Sequence, residues 1–116
     1  MEKPNKIESI QVGIAGEYLA AGELSLRGFI SSISLRNSRG IDIIASSADG
    51  QKSVSIQVKT NSSGNSKWIL SKKSENFHSD NHFYIFVAIK SFLVRPNYHI
   101  VPSKVVADYI STTHRE

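Results

Sequence analysis

Residues 40–60, GIDIIASSADGQKSVSIQVKT, decide the fold. Their second half alternates: Val54, Ile56 and Val58 fall on one face of a strand, and Ser53, Ser55, Gln57 and Lys59 on the other. The preceding GIDIIASSA reads as a partner strand, and Asp49-Gly50 between the two is a hairpin signal. With those two residues as the loop, Ala48 pairs with Gln51, and the same register sets Asp42 opposite Gln57. Directly opposed side chains stand ~5 Å apart at Cβ, and the diagonal neighbour, here Lys59, about 7–8 Å away. An acid, an amide and an ammonium therefore converge on one face of a hairpin otherwise rich in Ile and Val.

Upstream of the hairpin the period changes to a helical one. From Ile7 to about Arg27, apolar residues recur at steps of three and four: Ile10, Ile14, Tyr18, Ala21 and Leu24. Gly13, Gly16 and Ala20 make a second stripe of small residues. A helical glycine costs about 1 kcal/mol against alanine, so this stripe predicts close packing, most simply against a sheet. Gly28 is a helix stop. FISSISLR then reads as a strand, with Phe29, Ile33 and Leu35 among its apolar positions, and residues 37–40, NSRG, as a turn.

Downstream, NSSGNS at 61–66 reads as a loop, Trp68 to Leu70 as a short extended piece, and Ser71 to Phe77 as a short helix. HFYIFVAI, 82–89, lacks polar alternation and reads as a strand buried on both faces. Tyr98 to Val101 is a further short strand. A last helix spans about 103–114, with Ser103 as N-cap and Val105, Val106, Tyr109 and Ile110 as its apolar stripe. The expected fold is α/β: a mixed central sheet flanked by helices, in the order helix, three strands, a variable segment, two strands, helix. One domain accounts for residues 1–116, with 1–6 polar and loose.

Composition narrows the function classes. The 116 residues include no cysteine, which excludes disulfides and thiolate chemistry. No apolar run approaches the ~20 residues a membrane helix needs. The opening MEKPNKIESI has no apolar stretch behind its lysines, so no secretory signal is expected, and a cytoplasmic location is the default. Fourteen basic residues against ten acidic ones give a formal charge of +4, which suits a polyanionic partner.

A carboxylate and an amide oxygen are hard ligands suited to Mg²⁺ or Mn²⁺. Lys59 is positioned to contact a scissile phosphate, and Glu17 on the first helix to complete the site. This order of parts resembles the PD-(D/E)xK nucleases, the restriction-endonuclease-like superfamily. The resemblance covers roughly residues 8–90 and rests on a helix bearing a Glu (AGEYLAAGEL), a strand with an Asp after a glycine (GIDII) and a strand ending in QVK. GEYLAAGEL, GIDII and IQVKT look similar to small uncharacterised bacterial proteins given the same fold. Glu17, Asp42, Gln57 and Lys59 stand at the motif positions. The resemblance implies a restriction-endonuclease-like fold, a Mg²⁺- or Mn²⁺-dependent hydrolysis of phosphodiester bonds, nucleic acid and foremost DNA as substrate, and homodimers. Two positions depart from the strict motif: Gln57 stands where it has an acid, and Ile41 where a proline precedes the aspartate. Gln57 takes a negative charge from the metal site, which keeps open a second function, a catalytically decayed module that binds nucleic acid or a protein.

Other polar residues have simpler readings. Glu23 is expected to be solvated, and His78, Asp80 and His82 to be loop residues, since their spacing matches no tight metal motif. Lys72 and Lys73 read as surface and Trp68 as packing. No Gly-rich phosphate loop, zinc motif or serine triad appears.

Overall fold

The computed structural model describes residues 8–34, 40–62, 79–91 and 93–114. Its elements are α1 (Ser9–Leu26), β1 (Ile30–Ile33), β2 (Ile43–Ser46), β3 (Ser53–Asn61), β4 (His82–Ala88), β5 (Asn97–Pro102) and α2 (Ser103–His114). The five strands form one mixed sheet in the order β1-β2-β3-β4-β5. Only β3 and β4 are parallel, Ser55 opposite His82 through Asn61 opposite Ala88; the other neighbours are antiparallel. This is the expected mixed α/β sheet with a helix before and after it. The expectations for Leu35, Trp68, Lys72, Lys73, Ser71–Phe77 and His78 lie outside the described residues.

The hairpin register is the one expected, Ile43 opposite Ile56 and Ser46 opposite Ser53. Its loop is longer than two residues. Ser47 N–H bonds Lys52 O at 2.9 Å, and inside that closure Gly50 N–H turns back to Ser47 O at 2.9 Å. The Asp49 carboxylate holds the turn by accepting from Gln51 N–H at 3.0 Å and from the Ser47 hydroxyl at 2.7 Å. Asp49 thus acts as a side-chain brace for a four-residue loop, 48–51, not as half of a two-residue one.

One sheet face carries Ile43, Ala45, Ile56, Val58, Ile85 and Val87, packed under Ala20 and Leu24 of α1. The other carries Tyr84 and Phe86, covered by Val106 of α2 with Val101 beside them. β4 is buried on both faces, as its unbroken apolar run predicts. Ser103 does not cap α2. It is fully buried, and its hydroxyl accepts from Ser79 N–H and donates to Ser79 O, both at 3.0 Å. Val106 faces the sheet, whereas Val105 and Tyr109 face out.

α1 turns its small-residue stripe to the sheet at Gly16 and Ala20, as expected, and leaves most of its bulky stripe outside. Val12, Gly16, Ala20 and Leu24 are buried; Ile10, Ile14 and Tyr18 are exposed. The closest approach is at Gly16, where an added Cβ would stand 1.8 Å from Thr60 Oγ1. Gly13 belongs to a more open edge, with nothing within 4 Å of its missing Cβ. The helix ends as expected: Gly28, at φ 97°, lets Phe29 N–H reach Leu24 O and Gly28 N–H reach Ser25 O, both at 3.1 Å. Glu23 is ion-paired and not simply solvated. Arg95 bonds both its carboxylate oxygens, at 2.7 and 3.0 Å, and Arg27 approaches at 3.3 Å. These contacts, foremost the Arg95 hydrogen bond, hold its carboxyl below the ordinary value.

Candidate functional site

The sheet opens where β2 stops. β2 pairs with β3 as far as Ile43 opposite Ile56. Beyond that point β3 runs on to Asn61 and, among the described residues, pairs only with β4. Asp42 sits at the opening. Its N–H bonds Ile56 O at 2.8 Å, and its carbonyl accepts from Ser34 N–H at 2.9 Å. The Ser34 hydroxyl donates to the neighbouring Ile41 carbonyl. Asp42 backbone is therefore gripped from β3 on one side and from the end of β1 on the other.

The expected direct pairing of Asp42 with Gln57 does not form. Because Asp42 N–H takes the Ile56 carbonyl, the ladder breaks one residue early. The carboxylate turns into the plane of the sheet, and Oδ2 accepts from Val58 N–H at 2.7 Å. This bond satisfies a β3 donor that β2 no longer reaches. Oδ1 has no hydrogen bond among the described residues.

Glu17 lies on the same side as α1 and borders the same groove as Asp42. The two carboxylates come from different elements and lie close enough to interact. Glu17 carboxyl is held above its ordinary value, by burial first and by the Asp42 charge second. The groove measures about 510 Å³, and its walls are Ile10, Gly13, Ile14 and Tyr18 from α1 with Ile33, Ser34 and Ile41 from the sheet.

Gln57 and Lys59 are half-buried. By strand alternation they share the face opposite α1 with Ser55, while Val58 and Thr60 face the helix. The structure thus brings Asp42 to Glu17, whereas Gln57 and Lys59, on the part of β3 that β2 no longer pairs, turn to the opposite sheet face and are not among the groove's described lining residues. The two carboxylates meet at the end of a strand, not on one hairpin face.

One residue beside the site escaped the sequence reading. His82 is the first residue of β4, as the strand reading of 82–89 has it and the loop reading does not, and is 2% exposed. Its Nδ1 and the Ser55 hydroxyl are 2.7 Å apart. Burial pushes its pKa below the ordinary value, against the opposing pull of Asp42 and of a bond to Ser55 backbone. Its signal in the sequence is its alternation with Tyr84 and Phe86. The three rings form a ladder with centroid spacings of 5.7 and 5.8 Å.

Among the described residues, no third histidine, cysteine, aspartate or glutamate joins Glu17 and Asp42. Two carboxylates on one groove, one with an oxygen not bonded among the described residues, suit a hard divalent cation, which would offset the Asp42 charge that adds to burial in raising Glu17. Further ligands would come from the Gln57 carbonyl and water. Among the described residues no helix is long and apolar enough to cross a membrane. Comparison with protein-family models, with curated proteins and with solved structures returns no match.

Proposed function

We propose that this chain is a metal-dependent nuclease of the restriction-endonuclease-like type, acting on the phosphodiester bonds of DNA. The observation that carries the reading is the pair of carboxylates, Glu17 from α1 and Asp42 from the end of β2, on one groove at the point where β2 leaves β3. Glu17, Asp42 and the Gln57 carbonyl would hold Mg²⁺ or Mn²⁺. A divalent ion there supplies positive charge that polarises a phosphate and lowers the pKa of a water. The chain's own groups do the rest. Asp42, fixed by three hydrogen bonds through its backbone and Oδ2, presents an oriented oxygen. Glu17 orients or deprotonates water at the groove. Lys59 meets negative charge developing on the phosphate.

The test is a cleavage assay on single-stranded, duplex and branched DNA and on RNA, with Mg²⁺ and Mn²⁺, beside isosteric variants. Asp42→Asn is the better choice than Asp42→Ala, because an amide oxygen can still accept from Val58 N–H while the charge is lost. It is expected to lose nearly all activity with the fold intact. Lys59→Ala should lose rate more than metal affinity, and Gln57→Glu should tighten Mg²⁺ binding. Gln57 in place of an acid favours one alternative, a decayed site on a nucleic-acid- or protein-binding module. No cleavage of any substrate, with metal and nucleic-acid binding unchanged in Asp42→Asn, would establish that alternative. Nucleic-acid affinity that fails to fall with added salt would count against nucleic acid as its ligand, since phosphate contacts release counterions.

A further inference from the structure

Along α1, Ile10, Ile14 and Tyr18 stand four residues apart and form the outer wall of the Glu17–Asp42 groove. They form a bulky stripe, yet the sheet packs against the other side of the helix, at Val12, Gly16, Ala20 and Leu24. Ile10 is 77% exposed, Tyr18 66% and Ile14 39%. Ile33 and Ile41 close the groove from the sheet side, so its walls are largely apolar, with Ser9 and Ser34 as neutral polar residues, and end in an accessible aromatic ring. Its volume, about 510 Å³, lies within the ~300–1,000 Å³ of small-ligand sites.

The charges in this groove discriminate between parts of a nucleic acid. Both charged groups among its described lining residues are carboxylates, Glu17 and Asp42. Against these described lining residues a run of phosphates would meet like charge, apart from one phosphate bridged by a cation. An uncharged base has the opposite preference. Its π-face stacks on tyrosine and its edges tolerate aliphatic walls, an arrangement worth about 1–3 kcal/mol per base in single-strand binding. In a duplex that face is hidden in the stack.

We propose that the groove receives one unpaired nucleobase next to the scissile phosphate, stacked on Tyr18 and flanked by Ile14, so that the substrate is a strand with an unpaired nucleotide at the cleavage point. This rests on the nuclease reading, since the carboxylates at the groove are what bring a phosphate there. It makes Tyr18 a substrate-binding residue and sets the preference for single-stranded over fully paired DNA.

The experiment measures binding with Ca²⁺ as the bridging ion, which takes the same oxygen ligands as Mg²⁺, with a gel confirming that the labelled strands stay intact. Fluorescence anisotropy is read with a labelled 12-nucleotide DNA strand, its duplex, and the RNA strand of the same sequence. The single strand is expected to bind at least tenfold tighter than the duplex. Tyr18→Ala should weaken single-strand binding about tenfold, Tyr18→Phe should retain it, and duplex binding should not change. Tyr18 is exposed, so the melting temperature should stay constant and serves as the folding control. DNA and RNA strands bound alike would mean that the base alone is read; a preference for either would add a sugar contact, and both outcomes support the groove. Equal or tighter duplex binding, binding of neither form, or an unchanged Tyr18→Ala would overturn it. So would a wild-type dimer that Tyr18→Ala converts to monomer in sedimentation, because the stripe would then be covered by a second copy. Failure of the nuclease reading is separable: a single-strand preference without hydrolysis sinks that reading alone, and hydrolysis with duplex preference sinks the groove alone.

Discussion

A carboxyl raised above its ordinary value in the folded chain, as Glu17 is by burial and by Asp42, favours folding most when it is protonated. The stabilisation is complete below the unfolded value near 4.5 and is lost as pH rises through the higher folded value. At neutral pH the metal-free protein therefore carries Glu17 charge as a destabilising feature. Glu17→Gln should raise the melting temperature in EDTA at pH 7, and the difference from wild type should vanish at pH 4. Added Mg²⁺ should stabilise wild type more than Glu17→Gln, since the ion replaces the missing counter-charge. Equal melting temperatures at pH 7 would mean that Glu17 is solvated and that the two carboxylates do not interact. Of the four residues singled out in the sequence, Glu17 and Asp42 line one groove while Gln57 and Lys59 turn to the other sheet face, so their mutual geometry was only half legible. Alternation placed Gln57 and Lys59 together. It could not reveal that Asp42 N–H takes the Ile56 carbonyl and breaks the ladder, because period-two patterning is blind to which carbonyl an N–H selects.

The first helix shows what a sequence pattern leaves undecided at the scale of an element. Apolar residues surround α1 almost evenly, so bulk alone gives no direction, and the stripe of Ile10, Ile14 and Tyr18 was as good a core face as Val12, Gly16, Ala20 and Leu24. Backbone approach decided it. Gly16 rests directly on Thr60, where no side chain fits. The small-residue stripe was the informative signal, although Gly13 does not share the tight contact. This yields a paired prediction. Gly16→Ala should destabilise the domain by about 1–3 kcal/mol through overpacking, despite the better helix propensity of alanine. Gly22→Ala, where a Cβ meets nothing within 4 Å, should stabilise it by about 1 kcal/mol. Thr60→Ala should return part of the Gly16→Ala loss. Thermal unfolding of the four proteins decides the matter, and Gly16 and Gly22 variants shifting in the same direction would show that the helix does not press on the sheet at Gly16.

For the molecule as a whole, the sequence of elements followed from turn signals, and the central place of β4 from the contrast between the alternating β3 and its own unbroken apolar run, because only a strand covered on both faces tolerates the second pattern. The parallel pairing of β3 with β4 was not legible, and it is what sets His82 beside Ser55 in the centre of the sheet. That placement gives the fold a pH dependence. Burial lowers His82 below its ordinary value of 6.5, more strongly than Asp42 and the Ser55 backbone raise it. A base with a depressed folded pKa stabilises the fold fully above its unfolded value, and the stabilisation is lost as pH falls from there through the folded value. Urea unfolding midpoints should therefore drop between pH 7.5 and pH 5.5, a window in which ordinary carboxyls stay ionised. His82→Gln keeps a polar group for Ser55 but cannot take up a proton, and should flatten that drop while lowering stability at pH 7.5. The remaining histidines titrate in the same range, so the comparison between variant and wild type carries the test. An undiminished drop in His82→Gln would move the pH dependence to another histidine and would mean that the junction of β3 and β4 admits enough water to solvate the His82 charge.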